Sequence, residues 1–209
     1  MKFDNVYFFT GTAYAGKSTM VKRLAEKYNG IACEENYHDR LIKDLNPNEF
    51  PALTYLRDMD DWDAFVTRTP DEYLKWVNDT SKEAEILELK ILEEVSKENK
   101  LVFVDTNISL DTLREISDKN HVMIMLADPS ISISRFFDRP DKEKQFLYQV
   151  LLRQENPEAA LLNFREILSR INSKENYDMY EKSEFNIVYK DDNRTIEETM
   201  NIISNYFFT

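Results

Sequence analysis

The sequence predicts an α/β fold in which parallel strands alternate with helices. Short runs that are apolar at nearly every position recur along the chain, as is typical of parallel strands buried on both faces. Segments with apolar residues at helical spacing lie between these runs. A glycine-containing loop joins the first run to the first helical segment. Together these three observations predict an open parallel sheet covered by helices.

The first predicted elements lie on either side of that loop. Val6–Phe9 predicts a buried strand, and apolar residues recur at helical spacing from Met20 to Tyr28. Gly30 is expected to end this helix as its left-handed C-cap. Ile31–Cys33 then predicts a short second strand.

Loops and short helices are predicted for residues 36–80. Trp62 and Trp76 are expected to pack two of these helices together, or alternatively to form an aromatic platform for a planar substrate. Thr80–Glu83 matches a capping box, which predicts that a longer helix begins there and ends at about Glu98.

In the C-terminal half, predicted strands continue to alternate with predicted helices. The predicted strands are Leu101–Asp105, Val122–Leu126 and Phe185–Tyr189. The predicted helices cover residues 110–116, 130–138, 141–154 and 157–172, followed by a last helix that begins at the capping box Thr195–Glu198 and runs toward Asn205. No repeat or change in composition marks a second domain, so residues 1–209 are expected to form one domain.

Composition restricts the partners and the compartment. The chain of 209 residues has 27 Lys and Arg against 39 Asp and Glu, a formal charge of −12. Because so acidic a chain repels phosphate backbones and anionic lipid, we expect neither nucleic acid nor a membrane as a partner. The single cysteine excludes an intrachain disulfide, and no apolar run resembles a signal peptide or a membrane span. We therefore expect a cytoplasmic protein.

The loop Gly11–Ser18 reads GTAYAGKS and matches the phosphate-binding pattern G-x-x-x-x-G-K-[ST]. In such a loop the backbone N–H groups surround an anion at a helix N-terminus, where the helix dipole favours negative charge. Lys17 is expected to bridge the β- and γ-phosphates, and the Ser18 hydroxyl is expected to bind Mg²⁺. The residues expected to contact the nucleotide are Gly11, Ala13, Tyr14, Ala15, Gly16, Lys17, Ser18 and Thr19.

The rarity of glycine excludes two classes of nucleotide-binding protein. Beyond the loop, the only glycine is Gly30. Signalling GTPases need a D-x-x-G switch and ABC-type ATPases need a glycine-containing signature, so neither can be built from the rest of the chain. Small-molecule and nucleotide kinases, which close over their substrates with arginines, remain.

Five features together resemble the P-loop nucleoside and nucleotide kinase-like group. They are the loop at 11–18, the acids after the second strand, the apolar run ending in Asp105, the arginine-bearing helices, and the late strand followed by Asp191–Thr195. This group includes nucleoside monophosphate kinases, shikimate kinases and small-molecule phosphotransferases. The resemblance implies a P-loop NTPase three-layer α/β/α sandwich with a five-stranded parallel sheet. It also implies an acceptor-side segment at about 36–80 and a helical lid at about 129–172.

The resemblance further implies an ATP-dependent phosphotransferase that uses Mg²⁺ and acts as a monomer or homodimer. Its acceptor would be a nucleoside, a nucleotide or another small hydroxyl metabolite. Adenylate kinase-like enzymes carry D-G-[FY]-P-R after the third strand, where this chain has Asp105–Ile108, so no motif names the acceptor. Two other functions remain open: a regulator or slow ATPase that acts on a protein partner, and a protein that binds a nucleotide only for stability.

Individual roles follow from the same resemblance. Glu35 is expected to accept the proton of the acceptor hydroxyl, although Glu34 occupies the adjacent position and both could simply be exposed. Asp105 is expected to assist the metal opposite Ser18, or alternatively to cap the next segment. The residues implied to contact the transferred phosphate are Arg135 and Arg139 in the lid, and those implied near adenine are Asn193 and Arg194.

Other polar residues have two interpretations each. Arg40, Arg57 and Arg68 could clamp an anionic acceptor, but each could equally form a surface ion pair. His38 is interpreted as a polar loop residue, because phosphoryl transfer requires no histidine.

Overall fold

The computed structural model describes residues 2–138 and 142–208. The strands are β1 Val6–Gly11, β2 Ile31–Cys33, β3 Val102–Asp105, β4 Val122–Leu126 and β5 Asn186–Tyr189. The helices in the described residues are α1 Lys17–Lys27, α2 Asp39–Ile42, α3 Pro51–Asp58, α4 Trp62–Val66, α5 Pro70–Val95, α6 Leu110–Ile116, α7 Pro129–Ser134, α8 Lys142–Leu152, α9 Pro157–Ile171, α10 Lys174–Glu181 and α11 Ile196–Phe208.

The five strands form one sheet in the order β2-β3-β1-β4-β5, and each neighbouring pair is parallel. The prediction of an α/β fold with a five-stranded parallel sheet is therefore confirmed. Phe9 is in register with Asp105 of β3 on one side and with Met123 of β4 on the other. This register places the loop after β1 beside the end of β3, at the carboxyl edge of the sheet.

Helices cover both faces of the sheet. Side chains on a strand alternate between the two faces, so neighbouring residues of β1 contact different layers of helices. Val6 and Phe8 of β1 belong to one buried cluster, which includes residues of α5 and α6. Tyr7 and Phe9 belong to a second cluster, which includes residues of α1 and α11. This arrangement fits three layers, with the sheet between two layers of helices.

A third buried cluster lies among helices alone. It joins α4, α5, α8 and α9 through apolar side chains such as Phe65, Tyr73, Leu151 and Phe164. Trp62 and Trp76 are partly buried against this cluster, so the prediction that they pack helices together is confirmed. A smaller cluster joins α3 to the middle of α5.

The predicted start of the long helix at Thr80 was wrong. The helix α5 begins at Pro70, and its capping box is formed by Thr69 and Glu72, whose side chains each bond to the other's backbone N–H. Thr80 lies inside the helix, and its buried hydroxyl has no hydrogen-bond partner among the described residues. The helix α10 had not been predicted.

Gly30 is not the left-handed residue at the end of α1. Asn29 adopts that conformation, with φ of 50°, and the N–H of Gly30 donates to the Ala25 carbonyl at 2.8 Å. Gly30 is needed for a different reason. A Cβ atom there would lie 2.5 Å from the Leu101 carbonyl oxygen, so only glycine allows the chain to enter β2 this close to the start of β3.

The last helix agrees with the prediction. Thr195 and Glu198 form the expected capping box ahead of α11, since the Thr195 N–H donates to Glu198 Oε2 at 2.8 Å and the Glu198 N–H donates to Thr195 Oγ1 at 3.2 Å. None of the helices in the described part of the chain is both long and apolar enough to cross a membrane.

Candidate functional site

The loop at residues 11–18 is fixed to the end of β4. Gly11 has φ of 124°, and a Cβ atom there would lie 2.1 Å from the Met125 carbonyl oxygen. The Thr12 N–H donates to that same carbonyl at 3.0 Å, and Thr12 Oγ1 accepts from the Ala127 N–H at 2.7 Å. The absence of a side chain at Gly11 therefore allows the loop to turn against the neighbouring strand.

Three polar side chains meet where β1 and β3 end and α1 begins. Ser18 Oγ donates to Asp105 Oδ2 at 2.7 Å, and Lys17 Nζ donates to the Thr12 carbonyl at 3.1 Å. Asp105 is only 3% exposed. The two residues predicted to assist a metal are thus in direct contact.

The environment of Asp105 is unfavourable for its negative charge. Burial raises the pKa of Asp105, whereas the Lys17 ammonium and the Ser18 hydrogen bond lower it, and the Glu35 and Glu88 carboxylates raise it further. The net effect is a raised pKa. A cation bound beside this carboxylate would relieve that cost.

The donor chemistry fits Mg²⁺ held jointly with phosphate. A serine hydroxyl and a carboxylate are hard oxygen groups of the kind that this ion prefers. Within residues 2–138 and 142–208, no group of three or more His, Cys, Asp or Glu side chains could hold a metal ion. The remaining ligands would therefore come from nucleotide phosphates and water, which is the usual arrangement for Mg²⁺ in phosphoryl-transfer sites.

Two cavities meet at this point. Cavity A, of about 440 Å³, is lined by the loop and by residues of α5, α7, α8 and α9, including Tyr73 and Lys144. Cavity B, of about 360 Å³, lies over the ends of β1 and β3 and is lined by Asp105–Leu110 and α10. Lys17 and Glu35 line both cavities.

The neighbouring acids Glu34 and Glu35 are both exposed, but they have different surroundings. Glu34 points to the surface, where it pairs with Lys22 at 2.8 Å with about half of each side chain exposed. Glu35 lies between cavities A and B. Of the two, Glu35 has the position that an acid facing an acceptor requires.

Cavity C, of about 230 Å³, lies on the other side of the loop, between β5 and the start of α11. Gly16 and Arg194 are among its lining residues. Arg194 Nη1 donates to the Tyr189 carbonyl at 3.3 Å. Asn193, which was also predicted to lie near adenine, does not line the cavity, and its N–H donates to Asp191 Oδ1 at 2.9 Å in the turn.

Of the two predicted lid arginines, the structure describes only Arg135. Arg135 is exposed at the end of α7 and lines none of cavities A to C, but its carbonyl accepts from the Tyr14 hydroxyl at 2.6 Å. Arg139 lies outside the described residues. The described residues of the predicted lid region that line cavity A are Ser132, Phe136, Lys144, Leu168, Ile171 and Asn172.

Glu88, which sequence reasoning missed, lies at the centre of a buried hydrogen-bond network. It is fully buried in α5, and its Oε2 accepts from the Thr106 hydroxyl at 2.6 Å and from the Asn107 N–H at 3.0 Å. Its Oε1 accepts from Asn107 Nδ2 at 2.8 Å. The signal available in the sequence was an acid on the apolar stripe of a helix, four residues after Ala84 and three before Ile91.

The same network adds to the interpretation of His38 as a polar loop residue. His38 does lie in the turn before α2, but it is only 3% exposed, and its Nδ1 lies 3.0 Å from Glu88 Oε1. The Tyr37 hydroxyl also donates to Glu88 at 3.4 Å, and burial raises the pKa of Tyr37 well above its usual range. Glu88 thereby joins the segment after β2, which carries Glu35, to the segment that directly follows Asp105 at the end of β3.

The three arginines that could have clamped an anion lie elsewhere. Arg57 forms an ion pair with Asp58 at 2.6 Å and donates to the Ile42 carbonyl at 2.7 Å. The Arg68 guanidinium lies over the Tyr55 ring, 4.2 Å from its centroid. Arg40 lines neither cavity A nor cavity B.

A larger cavity, of about 600 Å³, is lined by the cations Arg68, Lys75 and Lys82 as well as by acids, and Nη1 of Arg68 is buried without a hydrogen-bond partner among the described residues. It lies between α3 and α5, and its acid Glu83 already accepts from the N–H groups of Ala52 and Leu53. The Trp76 indole N–H donates to the Ala52 carbonyl. These polar groups therefore hold the two helices together.

Comparison with known proteins adds no assignment. No protein-family model matches the chain, and no curated protein matches it significantly in sequence.

Proposed function

We propose that the protein is an ATP-dependent phosphotransferase of the P-loop kinase-like group, which moves the γ-phosphate of Mg-ATP to a hydroxyl of a small molecule. The observation that carries this proposal is the contact between Ser18 and Asp105 beside Lys17, with Glu35 on the adjoining wall. A regulator or ATPase would need the loop and the metal residues, but it would not need an acid between two cavities.

The three cavities give each substrate a place in this proposal. Cavity A, with Lys17 and Lys144, would hold the triphosphate, and cavity C would hold the base next to Arg194. Cavity B would hold the acceptor, because it lies across Lys17 and Glu35 from cavity A. The helices that line cavity A would exclude water from the transfer, as a lid does.

The transfer itself forms one bond and breaks one bond. The acceptor oxygen attacks the γ-phosphorus, and the bond from that phosphorus to the β,γ-bridging oxygen breaks, so that ADP leaves with that electron pair. Glu35 accepts the hydroxyl proton and later releases it to solvent. Lys17 and the loop N–H groups stabilise the negative charge on the phosphates, and Mg²⁺ held near Ser18 and Asp105 supplies further charge neutralisation.

The test is label transfer from γ-labelled ATP with Mg²⁺ to a panel of hydroxyl compounds. The panel contains nucleosides, nucleotides, sugars, hydroxy acids, and aminoglycoside and phenicol antibiotics. We expect a labelled product that disappears with Lys17→Ala. With Glu35→Gln, we expect the rate to fall by about 10²- to 10⁴-fold, as is usual for loss of a general base.

The matched control is Glu34→Gln, which removes the neighbouring acid from the surface and should leave the rate within about twofold of wild type. Equal losses in the Glu34 and Glu35 variants would contradict the role of Glu35. Slow release of phosphate that no acceptor accelerates would favour the regulator or ATPase instead.

A further inference from the structure

We propose that the acceptor carries no anionic group: it is a neutral or amine-bearing alcohol rather than a phosphorylated or carboxylated compound. This inference rests on the proposed phosphotransferase function and narrows its substrate class. Three independent features of cavity B and its surroundings support it.

The first feature is the charge of cavity B. Among its described lining residues the carboxylates are Glu35 and Asp105, and the cation is Lys17. Because Lys17 extends from the nucleotide loop, its charge is used by the transferred phosphate. Asp105 is assigned to the metal, so the charge that remains facing the acceptor is the Glu35 carboxylate. A phosphate or carboxylate placed here would lie close to this like charge, which disfavours its binding, most strongly at low salt.

The second feature is the neutral chemistry of the rest of the wall. Ser81, Asn107 and Tyr180 offer hydroxyl and amide groups, while Ile108, Leu110 and Met179 offer apolar surface. Uncharged donors and acceptors next to apolar patches match alternating hydroxyl and C–H groups. An acceptor amine would in addition be attracted by the Glu35 carboxylate.

The third feature is that no arginine is among the described residues that line cavity B. Recognition of a phosphate or carboxylate in a binding site typically uses arginine forks. Arg57 is bonded to Asp58 and to a backbone carbonyl, and Arg68 lines the separate cavity between α3 and α5. Lys144 lines cavity A rather than cavity B, on the side of the triphosphate.

The test is calorimetric titration of the full-length protein saturated with Mg²⁺ and a non-hydrolysable ATP analogue. The anionic probes are AMP and inorganic phosphate. With the nucleotide loop filled, we expect neither probe to bind with a Kd below about 1 mM. Binding of either probe more tightly than this would overturn the proposal.

A gain-of-function variant shows whether charge is the reason. Ser81→Arg places a cation on the wall of cavity B, and Ser81→Gln is the neutral control of similar length. We expect AMP to bind Ser81→Arg at least about tenfold more tightly than Ser81→Gln. Equal AMP binding by the two variants, with both folded by circular dichroism, would remove the electrostatic argument and overturn the proposal.

Label transfer gives the same comparison for catalysis. Matched pairs are used: a nucleoside with its monophosphate, a sugar with its phosphate, and an amino alcohol with the corresponding hydroxy acid. We expect kcat/KM of the non-anionic member to exceed that of the anionic member by at least about tenfold. The reverse preference would overturn the proposal.

The proposed function fails in a different way. If the ATP analogue itself does not bind, or binds equally well to Lys17→Ala, then the phosphotransferase assignment fails, and the acceptor class fails with it. Anion binding beside a bound analogue contradicts the acceptor class alone.

Discussion

Asp105 combines burial with a negative charge that its surroundings only partly balance. Its raised pKa means that folding favours the protonated form. Above the folded-state pKa, the ionised carboxylate therefore lowers stability. This cost is relieved as the pH falls through the folded-state pKa toward the ordinary aspartate value.

We therefore predict that Asp105→Asn raises the melting temperature at pH 7, and that its advantage shrinks as the pH is lowered toward about 4. Activity should change in the opposite direction, falling by about 10- to 100-fold as expected for loss of a group that supports a metal. Calorimetric melting at several pH values measures the first effect. The exposed Asp111→Asn is the control and should show neither. A lower melting temperature for Asp105→Asn at pH 7 would contradict the prediction.

Replacing Glu88 with glutamine removes the charge of this buried side chain while keeping its shape. In Glu88→Gln, an NH₂ group replaces one carboxylate oxygen and must face either the Asn107 side chain or the Thr106 hydroxyl and Asn107 N–H. We expect a loss of about 1–3 kcal/mol in the free energy of unfolding, as is typical when a buried donor loses its partner.

Urea denaturation measures this loss. The control Glu94→Gln, at an exposed position of the same helix, should stay within about 0.5 kcal/mol of wild type. Equal stabilities of the two variants would mean that the buried network contributes nothing.

Among individual residues, the sequence predicted those that belong to a local pattern. Ser18 and Asp105 were both predicted, because a loop motif and a strand ending in an acid are each recognisable within a few residues. Glu88 was missed and the burial of His38 was not predicted, because the groups in this network lie on segments that are distant along the chain. Only the packing of α5 against the ends of β2 and β3 brings these polar groups together.

The start of α5 gives a prediction at the scale of the element. Thr69→Ala removes the capping hydroxyl and should cost about 1 kcal/mol of stability. Thr80→Ala removes a buried hydroxyl that has no partner among the described residues, and alanine is the better helix former. This second variant should therefore be neutral or slightly stabilising.

Melting of the two variants side by side checks this order. If Thr80→Ala were the more destabilising of the pair, a helix starting at Thr80, as the sequence pattern predicted, would be favoured over the start at Pro70.

The start of α5 was placed at Thr80 rather than Pro70 for a physical reason. Thr80–Glu83 has the residues of a capping box, but so do Thr69 and Glu72, and Pro70 favours the first turn. The apolar stripe that continues through Tyr73, Val77, Ala84 and Ile91 indicated one longer helix. Sequence alone did not show that its first turns are buried, because the cluster that covers them comes from helices about 90 residues later.

At the scale of the whole molecule, the rate at which the Cys33 thiol is labelled reports on unfolding. It lies in β2 at the edge of the sheet and is 6% exposed, and burial raises the pKa of its thiol to about 11. Because the thiolate is the reactive form, the folded protein should react with iodoacetamide at pH 8 at least about a hundredfold more slowly than the unfolded chain.

Labelling then reports on opening of the fold. Since a ligand that binds only the folded state stabilises it, the ATP analogue with Mg²⁺ should slow the labelling further, and Lys17→Ala should abolish that protection. Mass spectrometry of timed samples measures both rates, with the urea-unfolded chain as the control. Rapid labelling of the folded protein would show that β2 opens without global unfolding.

The sheet was more predictable than the helices that cover it. Four of the five strands were located within one residue at either end, and the first ends two residues later than predicted. The central strands β1, β3 and β4 are buried along nearly their whole length, and such runs are apolar at almost every position. The helices from α2 to α4 and α10 were not individually located. Each is short and is stabilised mainly by contacts made elsewhere in the fold, which local sequence does not encode.

The helix α5 is long enough that a small tilt at one end would move its other end appreciably. Its first turns are packed among helices through Tyr73, its middle carries Glu88, and its end is anchored in the sheet through Leu92. From Leu92 to Trp76 the axis is about 24 Å long, so a tilt of about 5° at the anchored end moves the far end by about 2 Å. Tyr73 lies on the wall of cavity A and Ser81 on the wall of cavity B. A small tilt of α5 about its anchored end would therefore displace Tyr73 at cavity A more than Ser81 at cavity B.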